Sequence, residues 1–276
     1  MAGERKSVLL TRVVTAALAL VAFAVALFLL PQMWWALFLL FMLSIGGWEW
    51  AALAGFQRGM RAVYAGFLCV CALALFFAAP RLLGSSQMID LAVWTVSLTF
   101  WIAIAPFWLS QRWKQRDRAV LAAIGWIVLV PMWLAMVRLH PTPWALIMFM
   151  SVVWIADTAA YAAGKTWGRN KLAPLISPGK TWEGALGAIG AVMLYCAAVV
   201  LLVPSSARDG DSLLMMVLFG AMVVLSIEGD LFESWMKRQA GVKDSGQLLP
   251  GHGGVLDRID GLTAAMPAAA LAYYLR

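Results

Sequence analysis

Long apolar runs make up most of the chain, and polar residues separate them only in short groups. A continuous apolar run of about 20 residues is typical of a membrane-spanning helix, whereas a barrel strand would alternate apolar and polar positions. Hydropathy, with proline, glycine and charged residues as boundaries, predicts spans at approximately 13–31, 33–56, 62–79, 88–110, 119–138, 144–164, 181–204, 212–236 and 261–275. The predicted fold class is an all-α integral membrane protein, a polytopic bundle of about nine transmembrane helices.

The composition agrees with this pattern. Hydrophobic residues make up 63% and charged residues 13% of the 276 residues, whereas charged residues form roughly 25% of a soluble domain. The first apolar run is long for a signal peptide, whose apolar region has about 7–15 residues, so we expect a retained first helix. The three cysteines lie in apolar runs without metal-ligand spacing and are interpreted as packing residues.

Basic residues are distributed unevenly between the two sides of the predicted bundle. Assigning each loop to a side places 17 of the 21 basic residues on the side of the N-terminus and four on the other. Because cytoplasmic loops are rich in lysine and arginine, the N-terminus is predicted to be cytoplasmic. The net charge of +7 then belongs to the cytoplasmic face, which favours anionic lipid head groups or nucleotides as partners over nucleic acid.

Acidic residues concentrate in the second half of the chain, above all in a polar stretch at 228–260. Asp257 and Asp260 share a helix face if they form the first turn of the last span. On the preceding helix, four polar residues fall on one stripe: Asp230, Glu233, Ser234 and Lys237. These two helices could hold a divalent cation between them through oxygen ligands, as Mg²⁺ prefers, and leave positions open for substrate phosphates.

Between these two helices the chain reads Leu-Pro-Gly-His-Gly-Gly at 249–254. Glycines let backbone N–H groups approach an anion closely, and the helix N-terminus that follows adds a favourable dipole. With Lys243 and Arg258 on either side, the loop is predicted to bind phosphate through Gly253 and Gly254. His252 could donate to a phosphate or order the loop, and the sequence leaves both alternatives open.

A second basic loop joins spans six and seven. Gly-Lys-Thr occurs twice, at 164–166 and 179–181, but neither copy has the earlier glycine or the preceding strand of a P-loop, so that interpretation is rejected. Ser177 before Pro178 is typical of a helix N-cap followed by proline at the first helical position. Lys180 is then expected at the cytoplasmic mouth of span seven as a phosphate ligand.

Two acidic residues of the first half lie in or next to apolar runs. A carboxylate inside a bilayer costs several kcal/mol unless it faces protein or water, so Glu49 is either a functional candidate or a helix-end residue that reaches the head groups. Asp90 is expected to interact with the dipole at the start of span four. The sequence assigns no individual role to Asp157, Glu228 or Glu233.

Taken together, the polar motifs resemble one family. Residues 234–260 contain the run S-x-M-K-R-x-x-x-x-K-D-x-G-x-x-L-P-x-H-G-G-V-x-D-R-I-D, which resembles the complete signature of phosphatidate cytidylyltransferases, also called CDP-diacylglycerol synthases. Upstream, A-D-T-A-A-Y at 156–161, G-K at 164–165 and S-P-G-K-T-W-E-G at 177–184 also resemble that family's pattern. The motifs cover about residues 150–265, and the first half is similar only in hydropathy and length.

The resemblance implies that CTP and phosphatidate give CDP-diacylglycerol and pyrophosphate, with Mg²⁺ required and a second cation possible. Attack of the lipid phosphate on the α-phosphorus of CTP brings two polyanions together, which demands cations more than a protein nucleophile. Carried over by position, the catalytic residues are Asp230, Lys237, Asp244, Asp257 and Asp260, with Asp230 and Asp257 as first choices for metal ligands; Asp244 could instead orient Lys243. The substrate-binding residues are Ser177, Lys180, Thr181, Ser234, Arg238, Lys243, His252, Gly253, Gly254 and Arg258. Lys237 would also bind a phosphate of CTP or of the lipid.

The whole chain, 1–276, is interpreted as a single membrane domain. The helices of 1–140 would embed the protein and could provide a dimer interface and access for lipid, and 144–276 would carry the catalytic helices and loops. The resemblance also implies a homodimer in a bacterial-type inner membrane. Because acyl chains stay in hydrocarbon, the site is expected to open laterally at cytoplasmic head-group depth.

Three other functions fit parts of the pattern. A CTP-dependent lipid kinase acting on a polyprenol-type alcohol would use the same polar face, but the intact signature argues against it. A CDP-alcohol phosphotransferase would need an Asp-Gly-x-x-Ala-Arg motif with two further aspartates, which the sequence lacks. An ion-coupled transporter would carry its site near the bilayer midplane between repeated halves, whereas here the charges cluster at one face.

Overall fold

Helices form most of the structure, a computed structural model that describes residues 21–78, 87–203, 211–247 and 253–275. Residues 21–29 are helical and are the described part of α1. The further helices are α2 (Gln32–Leu53), α3 (Arg58–Ala78), α4 (Gln87–Gln111), α5 (Arg118–Leu139), α6 (Pro143–Trp167), α7 (Trp182–Leu202), α8 (Ser212–Gln239) and α9 (Leu256–Tyr274). A π-helical segment, Phe100–Ile104, interrupts α4 just before Pro106, which lacks the N–H needed for the helix ladder.

Within the described residues, α2 to α8 are each long and apolar enough to cross a membrane. The predicted all-α polytopic bundle is therefore confirmed. The predicted spans overlap these helices closely, except that α9 begins at Leu256 rather than at 261. The charged residues of its first turn lower the local hydropathy, so a hydropathy profile places the start of this helix too late. The part of the first predicted span before residue 21 lies outside the described residues.

A short antiparallel hairpin, absent from the prediction, joins α6 to α7. It consists of β1 (Lys171–Ala173) and β2 (Ser177–Thr181). The prediction of Ser177 as a helix N-cap was wrong, because Ser177 begins β2 and the strand runs directly into α7. Thr181 is the N-cap instead, and its Oγ1 accepts a hydrogen bond from the Gly184 N–H at 3.1 Å.

Helix α9 lies in the middle of the bundle, in contact with α2, α4, α5, α6 and α8. Its segment from Gly261 to Ala270 is buried throughout and consists largely of small residues, which allow neighbouring helices to approach. Helices α6 and α7 pack tightly on each other beside it. The N-terminal end of α9, which carries the predicted carboxylates, is therefore surrounded by elements from both halves of the chain.

Candidate active site

A cavity of about 470 Å³ lies where α6, α7, α8, α9 and the β1–β2 hairpin meet. Its charged lining residues are Asp157, Lys165, Lys180, Asp230, Asp257, Arg258 and Asp260. Ser177 and Thr181 also line it, so the basic loop between α6 and α7 faces the same space as the carboxylates of α8 and α9. Carboxylates and cations thus share a cavity of the size typical of small-molecule sites, about 300–1,000 Å³.

Close packing of α8 against α9 brings the aspartates of these two helices together. Gly229 makes this possible, because a Cβ at this position would lie 2.5 Å from the backbone oxygen of Asp260. Asp230, the next residue, therefore faces the start of α9 across the cavity. The two carboxylate-bearing helices therefore pack directly against each other beside the cavity.

Lys180 and Asp230 form an ion pair at the cavity wall, with 2.6 Å between Nζ and Oδ2. Their side chains keep 22% and 33% of their surface exposed, so both remain accessible from the cavity. Ser234 lies one turn further along α8 and donates to Asp230 Oδ1 at 3.3 Å. Ser234 therefore orients the aspartate and does not itself line the cavity.

Lys237 is buried between two carboxylates instead of facing the cavity. Its Nζ lies 2.7 Å from Glu233 Oε2 and 2.6 Å from Asp257 Oδ1, and its side chain is 13% exposed. A lysine held in this way positions Asp257 and is not free to meet a substrate phosphate. We therefore interpret Lys237, expected from the sequence to bind phosphate, as a residue that orients an aspartate.

The second oxygen of Asp257 accepts three further hydrogen bonds. Its Oδ2 accepts from the Ser245 N–H at 3.0 Å, from Ser245 Oγ at 3.1 Å and from the Gly254 N–H at 2.8 Å. The Gly254 N–H, predicted to cradle phosphate, is thus bonded to a protein carboxylate. Gly253 has a left-handed backbone, φ 82°, which turns the chain into this arrangement.

Glu49 provides the largest difference from the sequence-based expectation. It lies on α2, in the first half of the chain, and its carboxylate accepts hydrogen bonds from the Val255 and Leu256 N–H groups at 3.1 and 2.9 Å. The dipole at the start of α9, predicted to favour a substrate phosphate, therefore meets this carboxylate. An acidic residue in an apolar run is the only signal that the sequence offers, and it does not reveal the partner.

Several predicted residues lie away from the cavity lining. Arg238 donates from Nε to the Ile176 carbonyl at 3.3 Å, which ties α8 to the hairpin. Lys243 and Asp244 are exposed on the turn after α8. His252 lies outside the described residues.

The sequence did not assign a role to Asp157, yet it lines the cavity from α6. Lys165 lies on the same helix, 5.6 Å from the centre of the Tyr161 ring, and lines the cavity as well. Both belong to the upstream motifs at 156–161 and 164–165. Those motifs therefore contain residues of the cavity lining, although the sequence did not indicate which of their side chains face the cavity.

The donor set of the cavity suits a hard cation. Among the described residues, no three His, Cys, Asp or Glu side chains form a ready-made metal site. Mg²⁺, however, is usually held by one or two carboxylates together with water and substrate phosphates. Asp157, Asp230 and Asp260 line the cavity from three different helices, α6, α8 and α9. These oxygen ligands fit Mg²⁺.

The fold and the cavity define a class of protein: a polytopic helical membrane protein with a charged cavity at one end of its bundle. Residues 10–276 match the cytidylyltransferase family, and the chain belongs to that family.

Individual relatives are similar over nearly the whole chain. A phosphatidate cytidylyltransferase of Pseudomonas aeruginosa is 41% identical over 268 residues, which cover 94% of this chain and 94% of that protein. One of Haemophilus influenzae is 32% identical over 95% of this chain and 98% of its own length. One of Brucella suis is 41% identical over 64% of each chain. The similarity therefore extends into the first half, where the motifs gave no signal.

Proposed function

We propose that this chain transfers the cytidylyl group of CTP to phosphatidate, giving CDP-diacylglycerol and pyrophosphate. The observation that carries the proposal is the cavity in which Asp157, Asp230 and Asp260 face Lys165, Lys180 and Arg258. The names of the relatives in Pseudomonas aeruginosa and Haemophilus influenzae support the choice of substrates. The lipid kinase alternative uses the same charges but leaves a phosphorylated lipid without cytidine.

The chemistry needs charge neutralisation more than a protein nucleophile. The attacking group, a phosphate oxygen of the lipid, already carries negative charge at neutral pH, and the leaving pyrophosphate carries more. Lys180, Lys165 and Arg258 would neutralise these phosphates from the walls of the cavity. Because no proton must be removed from the nucleophile, no side chain is required as a general base.

Mg²⁺ would be held by Asp230 and Asp260, with water and substrate phosphates as its other ligands. When bound, it would supply positive charge that neutralises the negative charge of the substrate phosphates. Asp257 was an equal first choice as a metal ligand. Since its two oxygens already accept hydrogen bonds from Lys237 and from the Ser245 and Gly254 N–H groups, we assign it to the support of this site.

We further propose that the cavity faces the cytoplasm at head-group depth in a bacterial-type inner membrane. The excess of basic residues on one predicted side supports this orientation. The acyl chains of the substrate would stay in hydrocarbon, so lipid would enter laterally between helices. A homodimer, with its interface on the helices of 1–140, completes the proposed assembly.

Purified protein in detergent, supplied with phosphatidate and radiolabelled CTP, tests the reaction. We expect label from the α-phosphate of CTP in a lipid-soluble product when Mg²⁺ is present, and none when EDTA removes it. Label from the γ-phosphate in the lipid would support the kinase instead. A folded protein that forms no lipid-soluble product, or forms it without a divalent cation, would refute the proposal.

A further inference from the structure

We infer that Glu49 is a positioning residue for the proposed reaction: it holds the loop before α9 so that Asp257 keeps its place at the cavity. This inference rests on the proposed function. It assigns to the first half of the chain a direct part in building the site, in addition to embedding it.

The evidence begins with the burial and bonding of the Glu49 carboxylate. Glu49 is 4% exposed although it carries a formal charge. Its partners are the Val255 and Leu256 N–H groups and Ser245 Oγ, which donates at 3.0 Å. All three donors belong to one segment, from the turn after α8 to the first residue of α9. A single side chain from α2 therefore fastens both ends of the loop at 245–256.

The described ends of this loop lie so close to Glu49 that Gly246 and Gly254 have no room for a side chain. A Cβ at Gly246 would fall on Glu49 Oε1. A Cβ at Gly254 would fall on Ser245 Oγ and on both carboxylate oxygens. Glycines in this loop first suggest close approach to a phosphate, but Gly246 and Gly254 are required here for close approach to Glu49.

Ser245 connects Glu49 to Asp257 at the cavity wall. Its hydroxyl lies within hydrogen-bonding distance of Glu49 Oε2 and of Asp257 Oδ2, at 3.0 and 3.1 Å. A hydroxyl has one proton, so it donates to one of the two carboxylates at a time, while its N–H donates to Asp257. Glu49, Ser245 and Asp257 thus form a continuous chain of contacts that ends at the cavity wall.

A carboxylate at position 49 meets requirements that an amide or a shorter acid would not. Each oxygen of Glu49 faces a backbone N–H, so the NH₂ group of a glutamine would point a donor at a donor. An aspartate is one methylene shorter and would not reach both N–H groups. The negative charge also interacts favourably with the dipole at the start of α9.

The decisive variant is Glu49→Gln, assayed for turnover and for hydrogen–deuterium exchange in detergent. We expect kcat to fall by about 10²-fold, because misplacement of a reacting constellation by about 1 Å costs that much. The KM for CTP should change little, since Glu49 lies outside the cavity lining. Exchange should increase in peptides that cover 244–258 and stay unchanged in α6 and α7.

Asp90→Asn is the matched control, since Asp90 is also a 4% exposed acid of the first half. Its partner is Arg138, at the other end of α9, so exchange at 244–258 and kcat should stay unchanged. If Glu49→Gln does not yield folded protein, Ser245→Ala decides by the same two measurements, because it removes only the hydroxyl that joins the two carboxylates.

Unchanged kcat in the folded variant, unchanged exchange at 244–258, or exchange raised equally in all helices would overturn the inference. The exchange measurement does not depend on the reaction. If unaltered protein forms no CDP-lipid, the proposed function fails, and exchange alone then decides whether Glu49 holds the loop.

Discussion

The two ends of α9 hold buried charges in different ways. At its C-terminal end, Arg138 and Asp90 close on each other, with 2.7 Å between Nε and Oδ2 and side chains that are 15% and 6% exposed. Arg138 also lies 5.5 Å from the Phe76 ring centre, and its carbonyl accepts from the Tyr274 hydroxyl at 2.8 Å. Within the part of the chain that the structure describes, the contacts of this pair lead back into the protein, and neither residue lines the charged cavity.

At the N-terminal end, about 28 Å away for a helix of this length, the aspartates line a cavity. Lys180 and Asp230 touch each other but remain partly exposed to that space. A closed pair stabilises the fold, whereas an open pair can exchange its partner for a ligand. Both ends contain short ion pairs, so the length of the ion pair does not distinguish them. They differ in whether the charged side chains are accessible from the cavity.

Removing a carboxylate from the open end should have the largest effect on turnover. For Asp230→Asn we expect a loss of roughly 10³-fold in kcat, as for removal of a principal electrostatic group in other active sites. Thermal unfolding in detergent should change little, because Asp230 is one-third exposed and loses only a partly solvated partner. Turnover is measured as transfer of labelled CTP into lipid.

Glu183→Gln is a suitable control for Asp230→Asn, since it also changes an acid near the hairpin. Glu183 lies outside the cavity lining and accepts hydrogen bonds from the Arg169 and Asn170 N–H groups. Activity in Asp230→Asn close to that of the unaltered protein would show that Asp230 is not a ligand of the proposed metal site. It would also erase the functional difference between the two ends of α9.

Lys237 combines features of both ends of α9. It is buried in an ion-pair cluster with Glu233 and Asp257, but Asp257 also lines the cavity. Lys237→Met would leave Glu233 and Asp257 without their shared cation, and breaking a buried ion pair costs about 3–5 kcal/mol of unfolding free energy. We expect a clear fall in the unfolding temperature and a decrease in kcat smaller than that of Asp230→Asn.

The double variant Lys237→Met with Glu233→Gln separates these two effects. It removes one of the two uncompensated carboxylates, so part of the lost stability should return. The kcat should stay low, because Asp257 still lacks its partner. If Lys237→Met instead unfolds at the usual temperature and raises the KM for CTP, Lys237 binds substrate as the sequence first indicated.

Much of the fold could be predicted because the bilayer requires long apolar helices, and the chain marks them clearly. Spans such as 119–138 and 212–236 differ from α5 and α8 by only a few residues. The hairpin escaped prediction because its strands have three and five residues and contain proline and glycine, which carry no alternating pattern. Local sequence could not show that Ser177 starts a strand.

The candidate site was predictable in its residue types and only partly in its contacts. Helical spacing is a local property, so the sequence could place Asp257 and Asp260 on one face of their helix. Which carboxylate meets which donor depends on tertiary packing. The contacts of Glu49 with Val255 and Leu256 join positions that are 206 and 207 residues apart in the sequence. No local sequence pattern encodes contacts over such a separation.

The closed end of α9 should give the smallest effect on turnover and a clear effect on stability. Asp90→Asn leaves Arg138 buried without its partner, and Arg138→Met leaves Asp90 in the same position, so each should lower the unfolding free energy by about 3–5 kcal/mol. The double variant should be more stable than either single one, since it leaves no uncompensated charge. In all three, kcat of the folded protein should agree within about twofold, because distant sites without shared partners act independently. A loss of turnover comparable to that of Asp230→Asn would show that removing a charge at either end of α9 affects the reaction. Accessibility from the cavity would then not distinguish structural charges from functional ones.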